Sequence, residues 1–193
     1  VLAVQEIKVK EGSEGEGSQA WDALLGELDN YEGLINPYNP IDSVVGLLYD
    51  PSVVSVVAYK PLFVGEWWPF PRAPLEATLR VTRDDKQITV KVIVLHLKAF
   101  PEGAERRREA CEDLDTYLQS GLPQTSLVIG DFNDDPFDTG EDNVFLSSFQ
   151  GQEPTYEFLT ADMPLGTVTS LGNQHLVNGV VVNGDFLDHA VAT

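Results

Sequence analysis

The segment 126–133, Ser-Leu-Val-Ile-Gly-Asp-Phe-Asn, constrains this chain more than any other. Leu127, Val128 and Ile129 make a short apolar run suited to a buried strand, and Gly130 lets the backbone turn at its end. Asp131 and Asn133 lie two residues apart, so an extended backbone points both side chains to one side. A carboxylate and a carboxamide at a strand mouth can handle a hard cation, a water and a phosphate oxygen together.

Around this segment the periodicities predict one α/β domain. The 193 residues, 42% of them hydrophobic, suffice for a real core. Strands are expected over 1–7, 75–82, 88–97 and 126–131, and the runs 44–49 and 53–59 flank Asp50-Pro51 as a hairpin-like pair. A final hairpin is expected from 177–182 and 186–193 around Asn183-Gly184. Residues 18–30 place Trp21, Leu24, Leu25 and Leu28 on one helical face, with Ser18 as N-cap. A second helix over 102–119 turns Ala110, Cys111, Leu114, Tyr117 and Leu118 inward. Arg106, Arg107 and Arg108 near its start oppose the helix dipole and read either as a solvated face or as a contact to an anionic partner. Cys111, the single cysteine, rules out an internal disulfide and reads as a buried, inert thiol. Residues 11–18, rich in Gly, Ser and Glu, read as a mobile loop; 65–74, with two tryptophans and three prolines, as a structured one. Many strands with a few intercalated helices argue for an α/β sandwich.

Charge narrows the partners. Twelve basic against thirty-one acidic residues give a net charge of −19, a field that repels polyanions and predicts weak non-specific binding to long nucleic acid. Phosphoester chemistry remains open to such a chain, because a bound metal reverses the local potential. No run of eighteen apolar residues is long enough to span a membrane. The sequence opens on Val1-Leu-Ala-Val4 without a basic region before it, so no signal peptide is legible, though a leader already removed would leave the same start.

Four further residues carry chemistry at strand ends. Glu6 closes an apolar strand where a magnesium ligand would fit, although a lone glutamate is more often a surface residue. His96 follows Val92-Ile-Val-Leu95 and reads as a core histidine or as a donor to a phosphate oxygen. Arg72, between Pro71 and Ala73-Pro74, is a rigidly aimed guanidinium suited to a phosphate clamp or a salt bridge. Asp188, inside Phe186-Leu-Asp-His-Ala-Val, caps a turn or holds a histidine in one tautomer.

Taken in order, Val-Gln-Glu6, Val-Val-Gly-Leu-Leu-Tyr-Asp50, Pro-Arg72-Ala-Pro-Leu, Val-Leu-His96-Leu-Lys, Gly-Asp131-Phe-Asn133 and Phe-Leu-Asp188-His-Ala-Val-Ala-Thr resemble the endonuclease/exonuclease/phosphatase (DNase I-like) superfamily over nearly the whole chain. The resemblance implies a four-layered α/β sandwich of two packed, mainly antiparallel sheets flanked by helices, cleaving phosphoesters with Mg²⁺ or Mn²⁺. It implies Glu6 and Asp131 at the metal, Arg72 and His96 on the scissile phosphate, Asp131 positioning or activating the attacking water, and Asn133 supporting the phosphate and Asp131. Asp188 matches either a penultimate-strand aspartate, with His189 beside the substrate, or the terminal Asp-His pair. On the first match, the family's opening strand and its last Ser-Asp-His strand lie outside residues 1–193. The single domain is then incomplete at both ends, nearly inactive alone and left with bare sheet edges. Nucleic acid, DNA first, is the implied substrate; a nucleotide, a phospholipid head group or an inositol phosphate is the alternative. Similarity of Leu-Asp-His-Ala to extracellular bacterial nucleases of this superfamily favours the nucleic-acid substrate; the compartment is left open, with secreted or periplasmic favoured. Two rivals stand beside this reading. One is a non-catalytic binding module on the same scaffold, and the other a Ca²⁺ site on Asp134-Asp135-Pro-Phe-Asp138, whose spacing departs from the twelve-residue calcium loop. No protein partner is implied.

Overall fold

The structure, a computed structural model, describes residues 1–9, 18–38, 41, 43–121, 124–151, 155–160, 174–177, 180–183 and 188–193, the segments 174–177 and 180–183 as backbone only. The expected loop over 11–18 lies outside these residues except for Ser18.

Among the described residues, one sheet has three strands in the order β1 (Leu2–Lys8), β3 (Ser43–Tyr49), β2 (Glu32–Ile35), all antiparallel. The larger has six: β4 (Val54–Pro61), β5 (Leu75–Arg83), β6 (Lys86–His96), β7 (Ser126–Asp131), β11 (Asp188–Ala192) and β8 (Glu157–Phe158). Its pairings are antiparallel except β6 with β7, which run parallel and are joined through helix α2 (Ala104–Ser120). The remaining helix, α1 (Gln19–Glu27), begins at Ser18, whose Oγ accepts the Trp21 N–H at 3.3 Å.

The four layers follow from side-chain alternation. Along β3, Val44 and Leu48 face Ile7 of β1 and Trp21 of α1, while Val45, Leu47 and Tyr49 face Leu75, Ala77 and Leu79 of β5 and Val92 and Val94 of β6. Ile93 and Leu95 of β6 point the other way, onto Ala110, Cys111, Leu114 and Leu118 of α2. The order is α1, small sheet, large sheet, α2. Cys111 is fully buried in the last interface, as its place in the helical stripe predicts. The turn between β5 and β6 puts Asp84 and Asp85 at φ 49° and 62°, the left-handed pair of a tight hairpin.

Two expectations are corrected. Residues 44–49 and 53–59 do not form a hairpin: β3 belongs to the small sheet and β4 to the large one. Every residue of β3 is buried, so both of its faces need cover, and a hairpin with one wet face would not supply it. The terminal hairpin is also rearranged. β10 (Val180–Asn183) pairs back with β9 (Gln174–Val177), and β11 joins β7 and β8 instead. Strands β2 and β8, of four and two residues, have too little periodicity to read in advance.

Gly130 closes the fold around the end of β7. Its φ is 137°, and a Cβ there would collide with the backbone oxygen of Leu95 on β6. Gly130→Ala is expected to lower stability by about 2–4 kcal/mol through strain and collision, measured by urea denaturation.

Candidate active site

Sheet register brings three of the sequence-derived residues into one row. His96 at the end of β6 stands opposite Asp131 at the end of β7, and Asp131 stands opposite Asp188 at the start of β11. Residues opposite one another across a ladder share a face. His96 lies two residues beyond Val94 and Asp131 two beyond Ile129, so the row faces the space between the sheets, at the rim of their shared core.

The small sheet and a loop add the rest. The β1–β3 register shifts between Val4 and Ile7, and Glu6 has φ 57°, a bulge that re-aims its side chain. The Glu6 charge reaches Asp131. Arg72, on the loop before β5, donates from Nε to Ser43 Oγ at 3.2 Å, and its charge acts on both His96 and Asp131. Asn36, which no sequence signal marked, is buried beneath this loop and donates to Ala73 O at 2.6 Å and Pro74 O at 3.3 Å. Asn133, at φ 54°, donates its backbone N–H to Asp131 Oδ1 at 2.8 Å and its Nδ2 to Leu97 O at 3.2 Å. The structure therefore gathers Glu6, Arg72, His96, Asp131, Asn133 and Asp188 at one rim.

Electrostatics separate the roles available to them. Burial, with Asp188 and Glu6 nearby, raises Asp131 to about 6 against the Asn133 N–H and Arg72. At neutral pH it is still a carboxylate, but a more basic one than usual. Burial and then Arg72 lower His96 to about 4, with Asp188 opposing, so His96 is a neutral imidazole at pH 7. Its Nε2 lies 3.6 Å from Asp131 Oδ2, beyond direct hydrogen-bond reach and without an ion pair. Its Nδ1 is buried and finds no hydrogen-bond partner among the described residues.

His189 is placed elsewhere. One residue on from Asp188, it faces the opposite side of the sheet, 3% exposed, among Phe132, Phe145 and Phe158. Its Nδ1 lies 3.0 Å from Thr160 Oγ1 and its Nε2 3.0 Å from Asp134 O. The expected contact with substrate gives way to a core role, because strand alternation turns it away from the row.

The donor set suits a hard cation. Among the described residues no three His, Cys, Asp or Glu form a ready-made metal cage. Carboxylates from Glu6 and Asp131, with the remaining positions left to water and phosphate oxygens, match the way Mg²⁺ is usually held. The acidic segment after Asn133 does not build the alternative calcium loop. Asp134 is buried against Arg107, and Asp135 Oδ1 accepts the Phe137 N–H at 2.9 Å.

Comparison with known proteins agrees with this architecture. No protein-family model matches the sequence, and no curated protein matches it. Solved structures do. A human Nocturnin catalytic domain with bound sulfate superposes with a TM-score of 0.59 at 17% identity, covering 90% of this chain and 64% of that one. D. rerio TDP2 complexed with single-strand DNA product gives 0.60 at 13%, covering 98% and 69%. An endonuclease/exonuclease/phosphatase from Bacteroides vulgatus gives 0.61 at 14%, covering 99% and 72%. The chain has the DNase I-like endonuclease/exonuclease/phosphatase fold. It spans 64–72% of the length of these three structures.

Within this fold the three arginines at the start of α2 have separate fates. Arg107 is buried: Nε donates to Asp134 Oδ2 at 2.7 Å, and Nη1 to Lys98 O at 2.9 Å and Phe100 O at 2.8 Å. It ties the segment after His96 to the segment after Asn133. Its expected solvated face is corrected by spacing already present in the sequence, since Arg107, Ala110, Cys111 and Leu114 share one helical stripe. Arg106 braces the 65–74 loop, donating to Trp68 O at 2.5 Å and Trp67 O at 2.8 Å, and Arg108 donates to Glu141 O at 2.6 Å.

Arg107→Met is expected to cost about 3 kcal/mol by stranding the buried Asp134 carboxylate. Adding Asp134→Leu should recover much of that loss, a non-additivity read from a double-mutant cycle. In metal-free protein the two perturbed groups oppose each other. Asp131, raised to about 6, contributes stability that is lost as pH rises from about 4 through 6, whereas His96, lowered to about 4, contributes stability that is lost as pH falls from about 6.5 through 4. Asp131→Asn removes the first effect, so denaturation midpoints of that variant should fall more steeply on acidification than those of the parent.

Proposed function

We propose that this rim is the active site of a divalent-metal-dependent phosphodiesterase. The observation that supports this most is the row His96–Asp131–Asp188, fixed by parallel pairing on one side and antiparallel pairing on the other. A row of this kind beside Arg72, Glu6 and Asn133 offers acceptors for a water proton, donors for phosphate oxygens and ligands for a hard cation.

Glu6 and Asp131 would hold Mg²⁺ or Mn²⁺, which when bound neutralises charge on the phosphate and polarises it. Asp131 is ionised at neutral pH, so its carboxylate would orient the attacking water and accept its proton. The Asn133 N–H fixes its Oδ1, leaving Oδ2 on the His96 side. His96 is neutral, so it can donate one N–H to a phosphate oxygen without adding a fixed charge. Arg72, anchored on Ser43, supplies a planar guanidinium to the same phosphate. In the metal-free site burial, with the neighbouring Asp188 charge adding to it, raises the proton affinity of Asp131.

Nucleic acid is the second element of the proposal, supported by the single-strand DNA product in the D. rerio TDP2 structure. The −19 net charge favours short or single-stranded substrates over long duplexes. The rival reading, a non-catalytic module on the same scaffold, separates from the enzyme by its response to metal.

Asp131→Ala in the full-length gene product is expected to abolish magnesium-dependent hydrolysis of bis(p-nitrophenyl) phosphate while keeping its circular dichroism spectrum. Magnesium should raise the Tm of the parent and not of the variant. Retained turnover in Asp131→Ala would remove the aspartate from the mechanism, and a Tm indifferent to magnesium would favour the binding module.

A further inference from the structure

The loop over 62–74 carries two tryptophans that the proposed chemistry leaves unused. It joins β4 to β5 at the edge of the large sheet where His96 and Asp131 end, since Leu75 pairs with Pro61 on one side and Val94 on the other. Trp67 is 70% exposed. A lone exposed apolar residue would mean little, but this one is held in place. Leu62 N–H donates to Pro74 O at 2.9 Å and closes the base of the loop, and Asn36 grips Ala73 O and Pro74 O. Phe70 N–H donates to Glu66 O at 3.0 Å, and Phe63 stacks on the buried Phe70 ring with centroids 4.3 Å apart. At the tip Arg106 donates to Trp67 O at 2.8 Å and to Trp68 O, and its guanidinium lies 4.9 Å from the Trp68 ring centroid. Trp68 is thus covered by an arginine, and its ring meets Trp67 edge-on at 88°. Trp67 is the exposed ring on a fixed backbone.

A fixed aromatic ring suits a ligand with a flat face, because little ordering is left to do on binding. The surrounding charge says which ligand. Segments 62–74 and 97–108, joined by Arg106, hold five of the chain's twelve basic residues against three of its thirty-one acidic ones. In a chain of net charge −19, this is an edge that a polyanion can approach. Arg72, the guanidinium assigned to the phosphate, lies five residues from Trp67 in sequence, so their Cα atoms are within about 18 Å of each other. A strand with a phosphate at Arg72 can therefore lay a nearby base on Trp67. Stacking of this kind tolerates any sequence, but it needs a base whose face is open.

We propose that Trp67 is a stacking platform for an unpaired base of the nucleic-acid substrate, and that it makes the site prefer single strands. The proposal rests on the phosphodiesterase reading for the place of the scissile phosphate, whereas stacking can be measured without hydrolysis. Dodecathymidylate is titrated into the full-length gene product in EDTA and about 0.1 M salt, which screens the acidic surface. It is expected to quench tryptophan fluorescence, with the buried Trp21 as a constant background. Trp67→Leu should weaken binding at least tenfold and Trp67→Phe should recover part of the loss; circular dichroism checks that both fold. An abasic strand of the same length should bind the parent no better than dodecathymidylate binds Trp67→Leu. Pairing the strand with dodecaadenylate should cost the parent at least tenfold in affinity and Trp67→Leu far less.

No binding by the parent, equal affinity in parent and Trp67→Leu, or equal affinity for abasic and thymidylate strands overturns the platform. So does a blue-shifted emission on phosphatidylcholine vesicles that Trp67→Leu loses while dodecathymidylate leaves the parent unquenched, an outcome that gives the loop to a membrane surface. With magnesium, Trp67→Leu should raise the KM for dodecathymidylate at least tenfold, and an unchanged KM also overturns the proposal. Base-dependent binding without hydrolysis of dodecathymidylate or bis(p-nitrophenyl) phosphate would remove the phosphodiesterase reading and leave the platform standing.

Discussion

The parallel pairing of β6 with β7 is the constraint on which the site depends. In an antiparallel pair the end of one strand meets the start of the next, and two strand-end residues would sit at opposite edges of the sheet. Parallel strands finish at the same edge, so His96 and Asp131 become direct neighbours. That arrangement requires a crossover, and α2 provides it. The helix also holds the outcome in place, because Arg107 near its start bonds to the segments leaving both strands. Gly130 completes the constraint from within β7, where it stands opposite Leu95 and lets the Leu95 carbonyl approach more closely than any side chain would allow.

Bringing Glu6, Asp131 and Asp188 toward one rim runs against electrostatics in a chain with a net charge of −19. Burying a carboxylate is unfavourable, and the nearby Asp188 and Glu6 charges add to that cost, so the proton affinity of Asp131 is raised. Stability alone would not select such a cluster. Arg72 offsets part of the repulsion, and it adds to the burial that lowers the proton affinity of His96 and keeps the imidazole neutral. On the proposed reading, a rim with surplus negative charge, one anchored guanidinium and a neutral histidine would receive a cation and a phosphate together.

Much of the site was legible because its residues sit at the ends of strands whose apolar runs are easy to see. His96 after Val92-Ile-Val-Leu95 and Asp131 after Leu127-Val-Ile129 need only local pattern, and so does Ser18 as the cap of α1. Partner choice is not local. Periodicity fixes which face a residue takes and leaves open which strand it meets, so the placement of β3 and β4 in different sheets had to come from the structure. The completely apolar Val44–Tyr49 run nevertheless carried a hint, since a strand buried on both faces belongs in the middle of a layered fold. His189 was legible in principle: if Asp188 faces the rim, its neighbour cannot. Asn36 was not, because a single asparagine in a loop has no pattern that marks it as a clamp on the Ala73 and Pro74 carbonyls.

The rim is shared between two sheets, and that makes its geometry a property of the core. His96, Asp131 and Asp188 ride on the large sheet, while Glu6 and the Ser43 anchor of Arg72 ride on the small one. What sets the distance between these groups is the packing of Val45, Leu47 and Tyr49 against Leu75, Leu79, Val92 and Val94. Interiors are close-packed, so a change of even one methylene in that layer must be absorbed by a shift or a void. A shift would slide the small sheet relative to the large one and carry Glu6 and Arg72 with it. Substitutions in the inter-sheet core therefore act on the site without touching it, and they act on the Glu6 and Arg72 side before they disturb the His96–Asp131–Asp188 row, whose spacing is fixed within a single sheet.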